Sequence, residues 1–118
     1  MFKKQFNAAC LFAACMAVQP AAQADTYPSK PIRLVIPFGS GGTTDVLARL
    51  VAAKLSESLK QTVNVDSRPG ANGIIGTDIV AKAAPDGYTL LMTVASAQTL
   101  TPSLYKLPFD PIKDLAKR

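Results

Sequence analysis

The sequence predicts an α/β fold in which strands alternate with helices. Three apolar, β-prone segments, at residues 32–36, 62–66 and 88–94, are separated by two segments with apolar residues at helical spacing. Residues rich in glycine and proline mark the junctions between them. Because strands that alternate with helices form right-handed βαβ units, we expect a parallel sheet with flanking helices.

The first strand and the first helix lie on either side of a glycine-rich turn. The strand is the apolar segment 32–36, with the sequence IRLVI. In the segment that follows, the apolar residues at helical spacing are Leu47, Leu50, Val51, Leu55 and Leu59. This spacing predicts an amphipathic helix whose apolar face packs on the sheet.

The second half of the chain repeats this order. A short strand at 62–66 precedes a turn-rich loop at 68–73, and Ile75, Ile79 and Ala83 mark one face of a second helix that ends at Pro85. The segment 88–94 is almost continuously apolar, which predicts a strand covered on both faces. Residues 96–100 predict the opening of a third helix, which Pro102 bends or ends.

Residues 1–24 have the three regions of a secretory signal peptide. A basic start with Lys3 and Lys4 precedes an apolar segment at 8–18, and Ala22-Gln23-Ala24 matches the small-x-small cleavage pattern. The order of these regions predicts cleavage between Ala24 and Asp25. The alternative is a buried N-terminal helix, and the apolar segment is too short to span a bilayer.

Both cysteines, Cys10 and Cys15, lie in this N-terminal segment. The segment around Cys15 weakly resembles a lipoprotein processing box, but the intact cleavage pattern beyond it favours ordinary cleavage. The exported chain would then contain no cysteine and no disulfide, which fits a bacterial periplasm.

Composition argues against several classes of function. The formal charge of +5 falls to +3 when Lys3 and Lys4 are removed, and no lysine or arginine cluster suggests binding to nucleic acid. The chain has no histidine, and its carboxylates are scattered without a pair or calcium-loop spacing. We therefore expect no catalytic residue, no metal site and no cofactor.

Three loops follow the carboxyl ends of the predicted strands, at residues 38–43, 68–73 and 93–96. In parallel sheets, ligands bind beyond these ends. The first loop, with Gly39, Gly41 and Gly42, allows close approach of the backbone to a ligand and precedes a helix N-terminus. Free N–H groups and the helix dipole there favour an anion such as a carboxylate.

The alternative for the first loop is a tight connection in which Thr43 or Thr44 caps the helix. The loop lacks the Gly-Lys-Ser/Thr ending of a P-loop. It also fails as a dinucleotide fingerprint, because position 44 is threonine, and as a nucleophile elbow, because Phe38 replaces a glycine. Asp45 lies in the first helical turn, where a carboxylate is stabilised by the dipole, and we interpret it as structural.

Several phrases in a consistent order resemble a single family. They are Tyr27-Pro28-Ser29-Lys30-Pro31-Ile32, Pro37-Phe38 followed by Gly41-Gly42 and Asp45, Ala48-Arg49, Arg68-Pro69-Gly70-Ala71, Gly73, Ile75-Gly76, the segment 81–91 (AKAAPDGYTLL) and Pro102-Ser103-Leu104-Tyr105. The chain resembles the tripartite tricarboxylate transporter receptor family, also called the Bug (Bordetella uptake gene) family of periplasmic solute-binding proteins.

The resemblance implies a two-lobed type II periplasmic-binding-protein fold that holds a small organic carboxylate between its lobes. Such a receptor delivers its ligand to membrane transporter subunits without chemistry, and does not bind nucleic acid or insert stably into a membrane. Because members of the family are longer, residues 25–118 would be a truncated first lobe. One alternative is a truncated remnant that does not bind, and a more distant one is a small nucleotide-binding or hydrolase-like α/β domain.

The resemblance also implies a set of ligand-binding residues in the three loops. They are Phe38, Gly39, Ser40, Gly41, Gly42 and Thr43 in the first loop, Ala71, Asn72 and Gly73 in the second, and Thr93, Ala95 and Ser96 in the third. The alternatives are helix capping by Asn72 and by Ser96. Arg68 is left out, because it can equally face outwards and pair with Asp66 or Asp86.

The signal-peptide assignment predicts the N-terminus of the exported protein. Mass spectrometry of periplasmic material should show a chain that begins Asp25-Thr26-Tyr27, because the signal peptidase cleaves after Ala24. A cytoplasmic product that retains Met1, or a product lipidated at Cys15, would contradict the assignment.

Overall fold

The computed structural model describes residues 26–115, which are organised around a parallel sheet of three strands. Strand β1 is Ile32–Ile36, β2 is Val63–Ser67 and β3 is Thr89–Leu91, in the spatial order β2-β1-β3. The register pairs Leu34 of β1 with Val65 on one side and with Leu90 on the other. The predicted α/β class and parallel sheet are confirmed, whereas the predicted signal peptide and cleavage site lie outside the described residues.

Three helices and one short 3-10 turn connect and follow the strands. Helix α1 is Thr43–Leu59, α2 is Ile74–Ala81 and α3 is Ala95–Leu104. The 3-10 turn, Ala71–Gly73, lies between β2 and α2. Helix α3 continues beyond Pro102, so the proline lies inside the helix and does not end it.

The core is centred on β1, the middle strand. Ile32, Leu34 and Ile36 belong to one apolar cluster with Ala48 and Ala52 of α1. Val35 points to the opposite face of the strand, because side chains alternate, and it is fully buried as well. Strand β1 is therefore covered on both faces.

The face of α1 that packs on the sheet differs from the prediction. Its buried positions are Asp45, Ala48 and Ala52. Leu47, Leu50 and Val51 are 48%, 61% and 40% exposed. The expectation was wrong for these three residues because the alanines, together with Leu55 and Leu59, form a second stripe at helical spacing. Small side chains on that stripe let the helix approach the sheet closely.

The predicted face of α2 was also wrong. The residues of α2 that are buried are Gly76, Thr77 and Ala81, whereas Ile75 is half exposed and Ala83 lies beyond the end of the helix. Gly76 explains the difference. A Cβ atom at this position would lie 2.7 Å from the Arg68 carbonyl oxygen and 2.7 Å from the Pro37 Cα atom. The helix therefore meets the backbone at the ends of β1 and β2 through a glycine.

Strand β3 is shorter than predicted and is not covered on both faces. It spans only Thr89–Leu91, and its three residues are partly exposed. Beside it lies an apolar groove of about 610 Å³, between α1, β3 and the segment 83–87. Leu34, Val51, Leu55, Leu90 and Met92 are among the residues that line it. Residues 26–115 thus leave one side of the sheet incompletely covered.

The helix caps that were the alternatives to ligand binding by the three loops are not formed. The N-cap positions of α1, α2 and α3 are Gly42, Gly73 and Val94, and none makes a side-chain capping hydrogen bond. Capping by Thr43 or Thr44, by Asn72 and by Ser96 was therefore wrong. The physical reason is that each helix starts at or next to the residue expected to cap it, so that residue is already helical or lies in the preceding turn.

The packing of Gly76 predicts a stability change. Gly76→Ala should lower the free energy of unfolding by about 1–3 kcal/mol, because the new methyl group meets backbone atoms that cannot rotate away. This loss should occur although alanine in a helix interior is normally favoured over glycine by about 1 kcal/mol. The measurement is the midpoint of urea unfolding. Gly39→Ala is the control, since no atom lies within 4 Å of a Cβ there. Equal midpoints for both variants would contradict this packing.

Candidate functional site

The three predicted binding loops lie at one edge of the sheet. Because β1, β2 and β3 are parallel, the segments that follow their carboxyl ends leave the sheet on the same side. The backbone from Gly39 to Thr43 is exposed, as are Ala71, Asn72, Ala95 and Ser96. Phe38 and Thr93 are partly buried, and Gly73 is buried.

The second loop contacts both the first loop and α3. The Ser67 hydroxyl at the end of β2 donates a hydrogen bond to the carbonyl oxygen of Phe38. A Cβ atom at Gly73 would lie 3.7 Å from the Phe38 ring. On its other side the loop shares a small cavity with Gln98 and Thr101 of α3. The structure thus joins the first loop to the second and the second loop to α3.

Asp45 shapes the first loop. Its buried carboxylate accepts a hydrogen bond from the N–H of Gly41 at 2.9 Å, and Arg49 Nε lies 3.1 Å from its Oδ1 atom. Gly41 has a φ of +86°, which favours glycine. The structural interpretation of Asp45 is confirmed. The Gly41 amide, which we expected to face a ligand, is bonded to Asp45.

This contact also changes the acidity of Asp45. The hydrogen bond from the Gly41 amide, followed by the hydrogen bond from Arg49, holds the pKa of the Asp45 carboxyl below its ordinary value of 3.8. Asp45 is therefore ionised at neutral pH, and its carboxylate interacts with the Gly41 amide and the Arg49 guanidinium.

The N–H groups in the first turn of α1 are not capped by the side chain of the N-cap residue. This residue, Gly42, has no side chain with which to accept from the N–H groups of the first turn. Gly42 has a φ of −80°, and a Cβ there would meet only the Gly39 carbonyl oxygen, at 3.7 Å. At Gly39 nothing lies within 4 Å of such an atom. The fold therefore does not require glycine at either position.

The backbone of the second loop is strained. Ala71 and Asn72 have φ values of 47° and 55°, between Gly70 at 137° and Gly73 at 87°. A left-handed conformation costs a residue with a side chain about 1–2 kcal/mol. Strain of this kind is concentrated at functional sites. The amide of Gly73 donates to the Gly70 carbonyl at 3.0 Å and is therefore occupied within the loop.

The third loop contributes less to this edge. The amide of Met92 donates to the Val35 carbonyl at 2.9 Å, which extends the pairing of β3 by one bond. Thr93 lines the apolar groove, and its Oγ1 atom is buried without a hydrogen-bond partner among residues 26–115. Ala95 and Ser96 open α3 and are exposed.

Arg68 is bonded to Asp66 and not to Asp86. Its Nε donates to Asp66 Oδ1 at 2.9 Å, and Arg33 Nε donates to Asp66 Oδ2 at 2.6 Å. Burial acts to raise the pKa of Asp66, but the hydrogen bonds from the two arginines hold it below its ordinary value. The sequence did not indicate the contribution of Arg33, because nothing in its local pattern shows which strand lies beside β1.

Within residues 26–115 there is no group of three histidine, cysteine, aspartate or glutamate side chains able to hold a metal ion. Over the same residues, no helix combines the length and apolar character needed to cross a membrane.

These features define an α/β lobe with open, glycine-rich loops at the carboxyl edge of a parallel sheet. The model of the tripartite tricarboxylate transporter family receptor matches residues 47–117, more than half of the chain. A UPF0065 protein of Bordetella bronchiseptica is 56% identical over 97 residues, which cover 81% of this chain. The chain belongs to the tripartite tricarboxylate transporter receptor family.

Solved structures of related proteins agree with this assignment. The periplasmic binding protein BugD is 43% identical, with a TM-score of 0.70 over 75% of this chain. MatC from Rhodopseudomonas palustris, solved with malate, is 36% identical with a TM-score of 0.70 over 75% of the chain. An R. palustris protein solved with adipate is 51% identical with a TM-score of 0.54 over 55% of it.

The chain spans about a third or less of each relative. It covers 29% of the B. bronchiseptica protein, 29% of BugD, 30% of MatC and 22% of the adipate-bound protein. The fold and the family are thus shown for the residues of this chain, whereas the activity of a whole receptor is proposed.

The lowered pKa of Asp45 predicts a pH-dependent loss of stability. A group whose pKa is depressed on folding stabilises the fold above its unfolded pKa, and that contribution disappears as the pH falls through the folded pKa. Asp45→Asn should therefore lower the urea midpoint at pH 7, and the difference from the unchanged chain should shrink below about pH 4.

Glu57→Gln is the control for this prediction, because it removes an exposed carboxylate from the same helix. Its midpoint should remain close to that of the unchanged chain at every pH. A difference for Asp45→Asn that stays constant from pH 7 to pH 3 would contradict the role assigned to the carboxylate.

Proposed function

We propose that the chain forms part of a periplasmic solute-binding receptor for a small organic carboxylate, and that the first and second loops contact one carboxylate group of the ligand. Residues 1–24 direct export to the periplasm, and residues 25–118 form an incomplete first lobe. The receptor delivers its ligand to membrane transporter subunits and carries out no chemistry.

The single observation that carries the proposal is glycine at Gly39 and Gly42, where the fold does not require it. Neither position has a crowded Cβ site or a positive φ. A ligand that approaches the backbone closely does require the absence of a side chain there. The open N-terminal turn of α1, with its uncapped N–H groups and positive dipole end, supports an anion as that ligand.

The ligand class is supported by two relatives. The bound molecules in MatC and in the adipate-bound protein, malate and adipate, are both dicarboxylates. A carboxylate held by backbone N–H groups needs no histidine or metal ion. In this proposal, Ser40 and Thr43 add hydroxyl donors at the same turn, and the amides of Ala71 and Asn72 in the second loop donate to the same carboxylate.

The apolar groove supports an incomplete lobe. Leu50 and Val51 are exposed beside a cavity of about 610 Å³ that is lined largely by apolar side chains of the sheet and α1. Exposed apolar surface of this extent usually marks a surface that other protein covers. This observation also favours the second candidate, a truncated remnant that cannot bind, because one lobe leaves the far side of a ligand solvated.

Calorimetry with a completed receptor tests the loop assignment. Residues 26–115 would replace the matching part of MatC, so that a second lobe is supplied. Malate affinity should fall at least 100-fold in Gly42→Val, because a branched side chain blocks the approach to the backbone. Ser40→Ala should cost less, about 1 kcal/mol for one neutral hydrogen bond.

Ala53→Val, an exposed change on α1, is the control for the added side chain. Melting temperatures should be similar in Gly42→Val and in the control, since a Cβ at Gly42 meets no close atom. If malate affinity were unchanged in Gly42→Val, the first loop would not be the carboxylate site.

A further inference from the structure

A small cavity lies between α3 on one side and the second loop and α2 on the other. Its volume is about 10 Å³, close to that of a single water-sized sphere. Asn72, Gly73 and Thr77 line it from one side, and Gln98 and Thr101 line it from the other.

Thr101 brings a hydroxyl group into this cavity. The residue is 5% exposed, and its Oγ1 atom is buried without a hydrogen-bond partner among residues 26–115. A buried hydroxyl without a partner is unfavourable, and buried polar groups in proteins are satisfied by protein atoms or by ordered water.

Two of the residues that line the cavity, Thr77 and Gln98, carry an available acceptor oxygen. The Thr77 hydroxyl uses its proton in a 2.8 Å hydrogen bond to the Gly73 carbonyl, so its oxygen is left as an acceptor. Pro102 has no N–H, so the carbonyl of Gln98, four residues earlier in α3, lacks its usual helical donor. Among the residues that line the cavity, Thr101 thus offers a donor, and Thr77 and Gln98 offer acceptors.

We propose that this cavity is the binding site of one structural water molecule, which accepts a hydrogen bond from Thr101 and donates to Thr77 Oγ1 and the Gln98 carbonyl. Three hydrogen bonds are typical for a buried water. The water joins α3 to the first turn of α2 and, through the Gly73 carbonyl, to the second loop. The inference does not depend on the proposed function, since it concerns the chain without ligand.

The sign of a stability change tests the proposal. Thr101→Val keeps the shape of the side chain and removes only the hydroxyl. If a water is bound, the melting temperature of the 118-residue chain should fall by several degrees, because the water loses a partner or leaves two acceptors unpaired. Thr101→Ser, which keeps the hydroxyl group, should have a melting temperature close to that of the unchanged chain. If the cavity is dry, Thr101→Val should leave the melting temperature unchanged or raise it, and the proposal is overturned.

Thr99→Val is the matched control. Thr99 lies on the exposed side of the same helix, and its hydroxyl donates to the Ala95 carbonyl at 3.1 Å. The effect of the proposed water is the fall in melting temperature of Thr101→Val minus the fall measured for Thr99→Val.

A direct measurement decides the question if Thr101→Val does not fold. Magnetisation transfer from water in NMR spectra of the unchanged chain should show a long-lived water close to the methyl groups of Thr77 and Thr101. Absence of these cross-peaks, in a spectrum where other buried sites are resolved, would overturn the proposal.

Discussion

The buried central strand β1 is the constraint on which the rest of the structure depends. It is paired on both edges with parallel strands and covered on both faces, so its position determines that of every other element. Because both pairings are parallel, the chain leaves all three strands on the same side of the sheet. The loops that carry the glycines and the strained backbone meet there as a consequence of topology.

Small residues determine how closely the helices approach this sheet. Ala48 and Ala52 bring α1 against β1, and Gly76 brings α2 against Pro37 and Arg68. The same packing sets the rotation of α1 about its axis, and it turns Leu50 and Val51 outwards beside the apolar groove. The close packing of α1 on β1 and the exposed apolar surface beside the groove are thus two results of the same orientation of α1.

The order of elements, the parallel sheet and the three loops could all be predicted from the sequence. Apolar segments, glycine-rich turns and the change between strand and helix periodicity of apolar residues are local signals, and the sequence contains all three. The packed faces of α1 and α2 could not be predicted, because the leucine spacing and the alanine spacing are both helical. Packing against the sheet determines which of the two faces is buried, and in this structure it is the face with the smaller residues.

The candidate site was predictable to a similar degree. The glycine-rich loop before α1 indicated an open backbone, and the position of Asp45 in the first helical turn indicated a structural role. The engagement of the Gly41 amide by Asp45 was not foreseen, because it depends on the positive φ of that glycine. The contact between Thr101 and the cavity depends on how α3 lies against the second loop, for which the sequence carries no local signal.

The central claim is that an anion binds to the backbone of the first two loops. The most direct test is titration of the ¹⁵N-labelled chain with malate, followed by amide chemical shifts. Because a single lobe must compete with water for the ligand, we predict weak, fast-exchange binding. The shifts should be confined to amides at 39–44 and 71–72. Shifts centred instead on the Arg33–Asp66–Arg68 cluster, or none at high malate concentration, would contradict the account.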